Sequence, residues 1–288
     1  MTVTTVILEL VQVHVPPASP SQLDEIIVPV DGTPESERAV PIACDIARHL
    51  GASVRVMTTL SEVGNLSARA YVEGVVARAP RTVRVGTEVV IETDPTQAIV
   101  DMARSGGIGV CMATHARGRI VASMHPNIAE AVVAQGHGLV FLAGPSCLAP
   151  TRGTRIVFAH DGGDDATALG ISLLPVLAAL GDDLIVITVV PAPMGRATDD
   201  PYHEVTRAVA PLLDAARSWG IDAEHRLVFG ADPRRAVLDA TIEDEAALVV
   251  MVARHTNAVH RLREGSMTMA VVHESTVPVL VTARTNAW

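Results

Sequence analysis

The densest set of groups able to do chemistry lies in one loop, which holds Arg254, His255, His260, Arg261, Arg263, Gly265 and Ser266. An apolar run from Leu248 to Val252 precedes it, and Gly265-Ser266 opens what reads as a helix. A glycine and a hydroxyl residue at a helix start offer free backbone N–H groups and an O–H to an anion, phosphate above all. The same pair also serves as an ordinary helix cap. The arginines and histidines around it either complete an anion cradle through charge-assisted hydrogen bonds or form a solvated polar loop with no ligand. His255 and His260 have no cysteine or carboxylate nearby at ligand spacing, so a zinc site is not expected, and His115 and His125 in an earlier loop read the same way. His160-Asp161 invites a dyad reading, but neighbours on a strand point to opposite faces and do not meet. With no GxSxG elbow, no P-loop and no GxGxxG fingerprint, the chain is not expected to be an enzyme.

The elements that position these groups are aliphatic. Hydrophobic residues make up 49% of the 288 residues and charged ones 19%, the balance of a folded chain long enough for two cores. Aromatics are only 2%, which leaves no stacking platform for single strands, and the net charge of −10 repels a phosphate backbone, so nucleic acid is not expected as a partner. Cys44, Cys111 and Cys147 are an odd set without CxxC spacing; Cys44 and Cys111 fall in apolar patterns and read as core thiols. No apolar run reaches transmembrane length and no basic stretch precedes the first apolar segment, so a cytoplasmic chain without membrane contact is expected.

In chain order, residues 1–20 stand apart: Val11 to Val15 alternate as a half-buried strand does, ended by prolines, which reads as an N-terminal arm or extra strand. From Ile26 strand and helix alternate. Ile26 to Val30 is a buried strand, and Asp31-Gly32 turns into a helix capped by Thr33 with Pro34 at its first position. Pro41 predicts a kink or a shifted start, and Gly51 an end. Strands follow at 54–58, 83–91, 108–112 and 139–142, with helices at 67–79, from Asp94-Pro95 to about Arg104, and from Asn127. Gly144 to Gly153 has linker composition. The second half replays the first: Asp161-Gly162 answers Asp31-Gly32, Asp232-Pro233 answers Asp94-Pro95, and Met251 answers Met112. A repeat this long, with five strands in each unit, means tandem domains.

Strand 1 ending in Val-Asp-Gly, the Asp-Pro helix, the Met-x-Thr-His loop of the first half and the Val-Pro-Val-Leu-Val of Val277 to Val281 resemble the universal stress protein family in its tandem two-domain form. The resemblance covers residues 21–149 and 150–288. It implies α/β domains, each a five-stranded parallel sheet in the order 3-2-1-4-5 with helices on both faces, and pairing of like domains through the last strand. It also implies a stress-response regulatory protein acting through dimerisation and protein contacts.

ATP-binding members of that family carry Gly, two residues, Gly, nine residues, then Gly-Ser or Gly-Thr, small residues that let backbone approach phosphate. Carried onto the first half these positions are Ala113, Ala116 and Pro126-Asn127, and proline has no N–H to offer. On the second half they are Val252, His255 and Gly265-Ser266, of which only the last pair is kept. The family's adenine side falls on Asp161 and Val189, against Asp31 and Thr59 in the first half. Any ATP site is therefore expected in the second domain, at Asp161, Val189, His255, Gly265 and Ser266, with Asp31 the weaker first-domain counterpart.

Overall fold

The computed structural model describes residues 23–60, 66–104, 106–114, 128–135, 138–148, 153–190, 201–253 and 267–283. The expected strand at Val11 to Val15 and the residues His255, His260, Gly265 and Ser266 lie outside the described residues. The first half runs β1 (Glu25–Pro29), α1 (Pro34–Glu37), α2 (Ala39–Leu50), β2 (Ser53–Leu60), α3 (Leu66–Arg78), β3 (Val85–Ile91), α4 (Pro95–Ala103), β4 (Ile108–Ala113), α5 (Ile128–Gln135) and β5 (Leu139–Ala143). The second repeats the pattern with β6 (Arg155–His160), α6 (Asp164–Leu180), β7 (Asp183–Val190), α7 (Pro201–Ser218), β8 (Asp222–Phe229), α8 (Pro233–Glu243), β9 (Leu248–Ala253), α9 (Met267–Glu274) and β10 (Val279–Ala283).

The ten strands of the described residues form one sheet, ordered β3-β2-β1-β4-β5-β10-β9-β6-β7-β8. Each half is parallel and has the expected 3-2-1-4-5 order. The halves meet where β5 runs antiparallel to β10, with Leu142 opposite Val279 and Leu139 opposite Thr282. The pairing of like domains through the last strand is thus made inside one chain. Strands apolar on both parities need cover on both faces, and two apolar layers supply it. One gathers Ile26, Val28, Phe141, Phe158 and Leu280 under α2, α3, α6 and α7. The other gathers Ile27, Val140, Leu142, Val157 and Val281 under α4, α5, α8 and α9. Each layer continues across the seam.

Local chemistry sets the element ends. Pro41 does not kink a single helix; it lies in the first turn of α2, and Arg38 separates α1 from α2, so the helix starts twice. Gly51 closes α2 in the left-handed region at φ 69°. Asp94 caps α4 by accepting from the N–H groups of Thr96 and Gln97, and Asp232 caps α8 by accepting from that of Arg234. Asp94→Ala and Asp232→Ala should each cost about 1 kcal/mol, and the corresponding asparagine variants close to nothing, as read from urea-denaturation midpoints.

The linker reading of Gly144 to Gly153 needs correction at its start. Arg38 Nη2 lies 2.9 to 3.0 Å from the carbonyl oxygens of Gly144, Pro145 and Cys147. Cys147 is buried, and a Cβ on Gly144 would lie 1.8 Å from the carbonyl oxygen of Val272 in α9. These residues are part of the packed seam. Their glycine, proline and serine content reflects a backbone-to-backbone contact that composition reads as a spacer.

Candidate functional site

In open parallel sheets ligands bind beyond the carboxyl ends of the strands, and each half places its aspartate there. β1 leads through Val30, whose N–H donates to the carbonyl of Met57, into the turn at Asp31. The Asp31 carboxylate accepts from the N–H of Thr33 at 2.9 Å and from its hydroxyl. Thr33 in turn caps α1 by accepting from the N–H of Ser36. Gly32, at φ 88°, points its N–H at the hydroxyl of Tyr71 in α3, 3.1 Å away. Burial, then the charge of Glu37, raises the Tyr71 pKa, so the phenol stays neutral at every physiological pH.

The second half solves the same turn with different residues. Asp161 accepts from the N–H of Gly163 at 2.8 Å, and Gly162, at φ 83°, donates its N–H to Nδ1 of His160 at 2.9 Å. His160 is 4% exposed, and its Nε2 lies 3.0 Å from Oγ1 of Thr167 in α6. That hydroxyl donates to the carbonyl of Ala208 in α7 at 2.7 Å. One strand over, Thr188 in β7 bonds Nε2 of His225 in β8 at 3.1 Å. Burial pushes the His160 pKa down to about 4, with Asp161 opposing the shift and His225 adding to it; burial lowers that of His225 too.

The parallel register brings Asp161 and Val189 together, because His160 pairs with Thr188 and the next residue on each strand follows in step. Ala159 pairs with Met251, so the end of β9 lies beside the same turn. Asp161 is exposed and Val189 half-buried. His255, Gly265 and Ser266 lie outside the described residues. The two described positions where the phosphate pattern calls for glycine, Ala113 and Val252, both pack side chains against the apolar layer that holds Val28 and Phe158. In the first half Asp31 and Thr59 are level in the same way, since Pro29 pairs with Met57.

His160 and Asp161 point apart, as neighbours on a strand do: one is buried, the other exposed. Sequence reasoning nonetheless missed what His160 does, along with Tyr71, Thr167 and the Thr188–His225 pair. A signal was present, because His160 shares its parity with Ile156 and Phe158 and so had to face the core. Burial lifts the thiols of Cys44 and Cys147 to about 11 and that of Cys111 further, which leaves them protonated and unreactive near neutral pH.

The architecture defines a tandem doubly wound α/β protein whose two strand-end turns are the sites where a ligand would be met. The family model for the universal stress protein family matches residues 153–283. The "Universal stress protein in QAH/OAS sulfhydrylase 3'region" of Thermus aquaticus is 30% identical over 132 residues, covering 44% of this chain and 96% of that protein. A universal stress protein from Archaeoglobus fulgidus DSM 4304 superposes with a TM-score of 0.69 at 17% identity, over 92% of this chain and 98% of its own. A putative universal stress protein from Pseudomonas aeruginosa UCBPP-PA14 does so with 0.58 at 13%, over 92% and 94%. The chain belongs to the universal stress protein family.

Proposed function

We propose that the chain is a stress-response regulatory protein that acts through self-association and contacts with other proteins, with weak or no nucleotide binding and no catalytic role. The observation that carries this reading is the state of the two turns. The glycine N–H that each could offer a ligand is held by a side chain of the chain itself, Tyr71 in the first half and His160 in the second. Both aspartates accept from their own turn. A nucleotide would have to displace these bonds, and an exchanged hydrogen bond contributes little net affinity. The two units correspond to residues 21–149 and 150–288. Because β5 and β10 already pair within the chain, a second copy would dock on another surface. Among the described residues no helix is long and apolar enough to cross a membrane.

A second reading has its own support. Asp161 is exposed and level with Val189 at the carboxyl ends of β6 and β7, as an adenine site would require. Titration calorimetry with ATP and Mg²⁺ separates the two. Silence at millimolar ligand is expected. A saturable heat of one site per chain that vanishes in Asp161→Ala would instead establish the second unit as a nucleotide-binding module. Native mass measurement of the purified protein reports subunit number and any nucleotide carried with it.

A further inference from the structure

The hydrogens around His160 are determined by their neighbours. A carbonyl only accepts, so the Thr167 hydroxyl proton points to Ala208, and the Thr167 oxygen accepts from Nε2–H of His160. A backbone N–H only donates, so Nδ1 accepts from Gly162 and carries no proton. The ring is a neutral Nε2–H tautomer with both nitrogens in use, joining the end of β6 to α6 and, through Thr167, to α7. A proton added at Nδ1 would face the Gly162 N–H, donor against donor, on a ring that is itself buried. At the matching turn of the first half, a phenol accepts from Gly32 and has no proton to gain in this range.

We propose that His160 is an acid-operated latch of the second half alone: protonating its ring releases the Asp161–Gly163 turn and loosens α6 and α7 above it, while the Asp31–Thr33 turn stays closed on Tyr71. Other ionisable groups lie near the ring. Asp161 favours the cation and His225 opposes it. α6 brings Asp164 and Asp165, and α7 brings His203, Glu204 and Arg207, all exposed. β7 and β9 bring no charged residue to that end of the sheet. The inference stands whether or not either half binds a nucleotide, since it concerns only bonds within the chain.

Amide hydrogen exchange on the full chain tests it, with protection factors corrected for the intrinsic pH dependence of exchange. Between about pH 7 and pH 4, protection at Gly162 and the first turns of α6 should fall at least tenfold, and at Gly32 less than about twofold. In His160→Gln the amide can accept from Gly162 and donate to Thr167 but cannot titrate in this range, so the drop should disappear. Equal loss in both halves, or a drop that persists in His160→Gln, overturns the proposal. If that variant does not fold, the imidazole C–H resonances of the unaltered protein decide. A titration midpoint for His160 below about 5 supports the latch, and one near the ordinary value of about 6.5 overturns it.

Discussion

Replacing Gly144 by alanine should lower the unfolding free energy by about 3 kcal/mol, the upper part of the range for overpacking a closed contact. The added Cβ would lie 1.8 Å from the carbonyl oxygen of Val272 and 2.9 Å from its carbonyl carbon. Both are backbone atoms of α9, so no side chain can swing aside. α9 cannot retreat cheaply either, because Met269, Val271 and Val272 are buried beneath it. The strain falls on the seam, where Arg38 holds the carbonyls of residues 144, 145 and 147. Two controls separate this contact from the general effect of removing a glycine. A Cβ on Gly86 would meet nothing within 4 Å, so Gly86→Ala should be close to neutral in urea denaturation. On Gly170 it would meet the Leu212 side chain at 2.9 Å, which can shift, and Gly170→Ala should fall between. A Gly144→Ala midpoint no lower than that of Gly86→Ala would contradict the packing described for the seam.

Acidification should remove about 3 kcal/mol of stability through His160 alone. In the unfolded chain this histidine titrates near its usual value of about 6.5, and in the folded chain near about 4. Between those values the unfolded state binds a proton that the folded state refuses, so stability rises with pH across the window and falls as pH drops. Above about 6.5 both states are neutral and the contribution is complete; below about 4 both are charged and it is gone. At about 1.4 kcal/mol per pKa unit, the separation gives the stated magnitude. The burial-lowered His225 acts in the same direction. Carboxylates contribute to acid unfolding as well, so the informative quantity is the difference between the unaltered protein and His160→Gln, measured as unfolding free energy at pH values from 4 to 7. The difference should move by about 3 kcal/mol in the variant's favour between pH 7 and pH 4; a difference constant with pH would place the titration elsewhere.

How far these features could be read beforehand depends on how local their causes are. β1, β4, β6 and β9 are apolar on both parities, and the caps at Thr33, Asp94 and Asp232 are side-chain bonds to nearby N–H groups, so a short window holds the information. β8 was legible only through the repeat, because it has no full-length run apolar on both parities; as an edge strand it carries Asp222, Glu224 and Arg226 at alternate positions, and charge there discourages pairing with another chain. Asp161 and Val189 were legible through the family resemblance, and the parallel register brings them level. The bonds that close the turns were not, since Tyr71 lies 39 positions from Gly32 and Ala208 lies 41 from Thr167. Gly144 was illegible for a further reason. Its role is to have no side chain at a place chosen by a helix far along the sequence.

The antiparallel joint of β5 with β10 has one more consequence. Two separate copies meeting at such a joint would be related by a two-fold axis, and every substitution would appear on both sides at once. Here the two surfaces are written once each. The tether also holds them at an effective concentration of the order of millimolar, so the joint tolerates an interface that separate chains at cellular dilution would not sustain. Each half is then free to vary alone, and the phenol at one turn and the imidazole at the other are a product of that freedom. What joins the halves is thereby what lets them become unlike, one indifferent to acid and the other responsive to it.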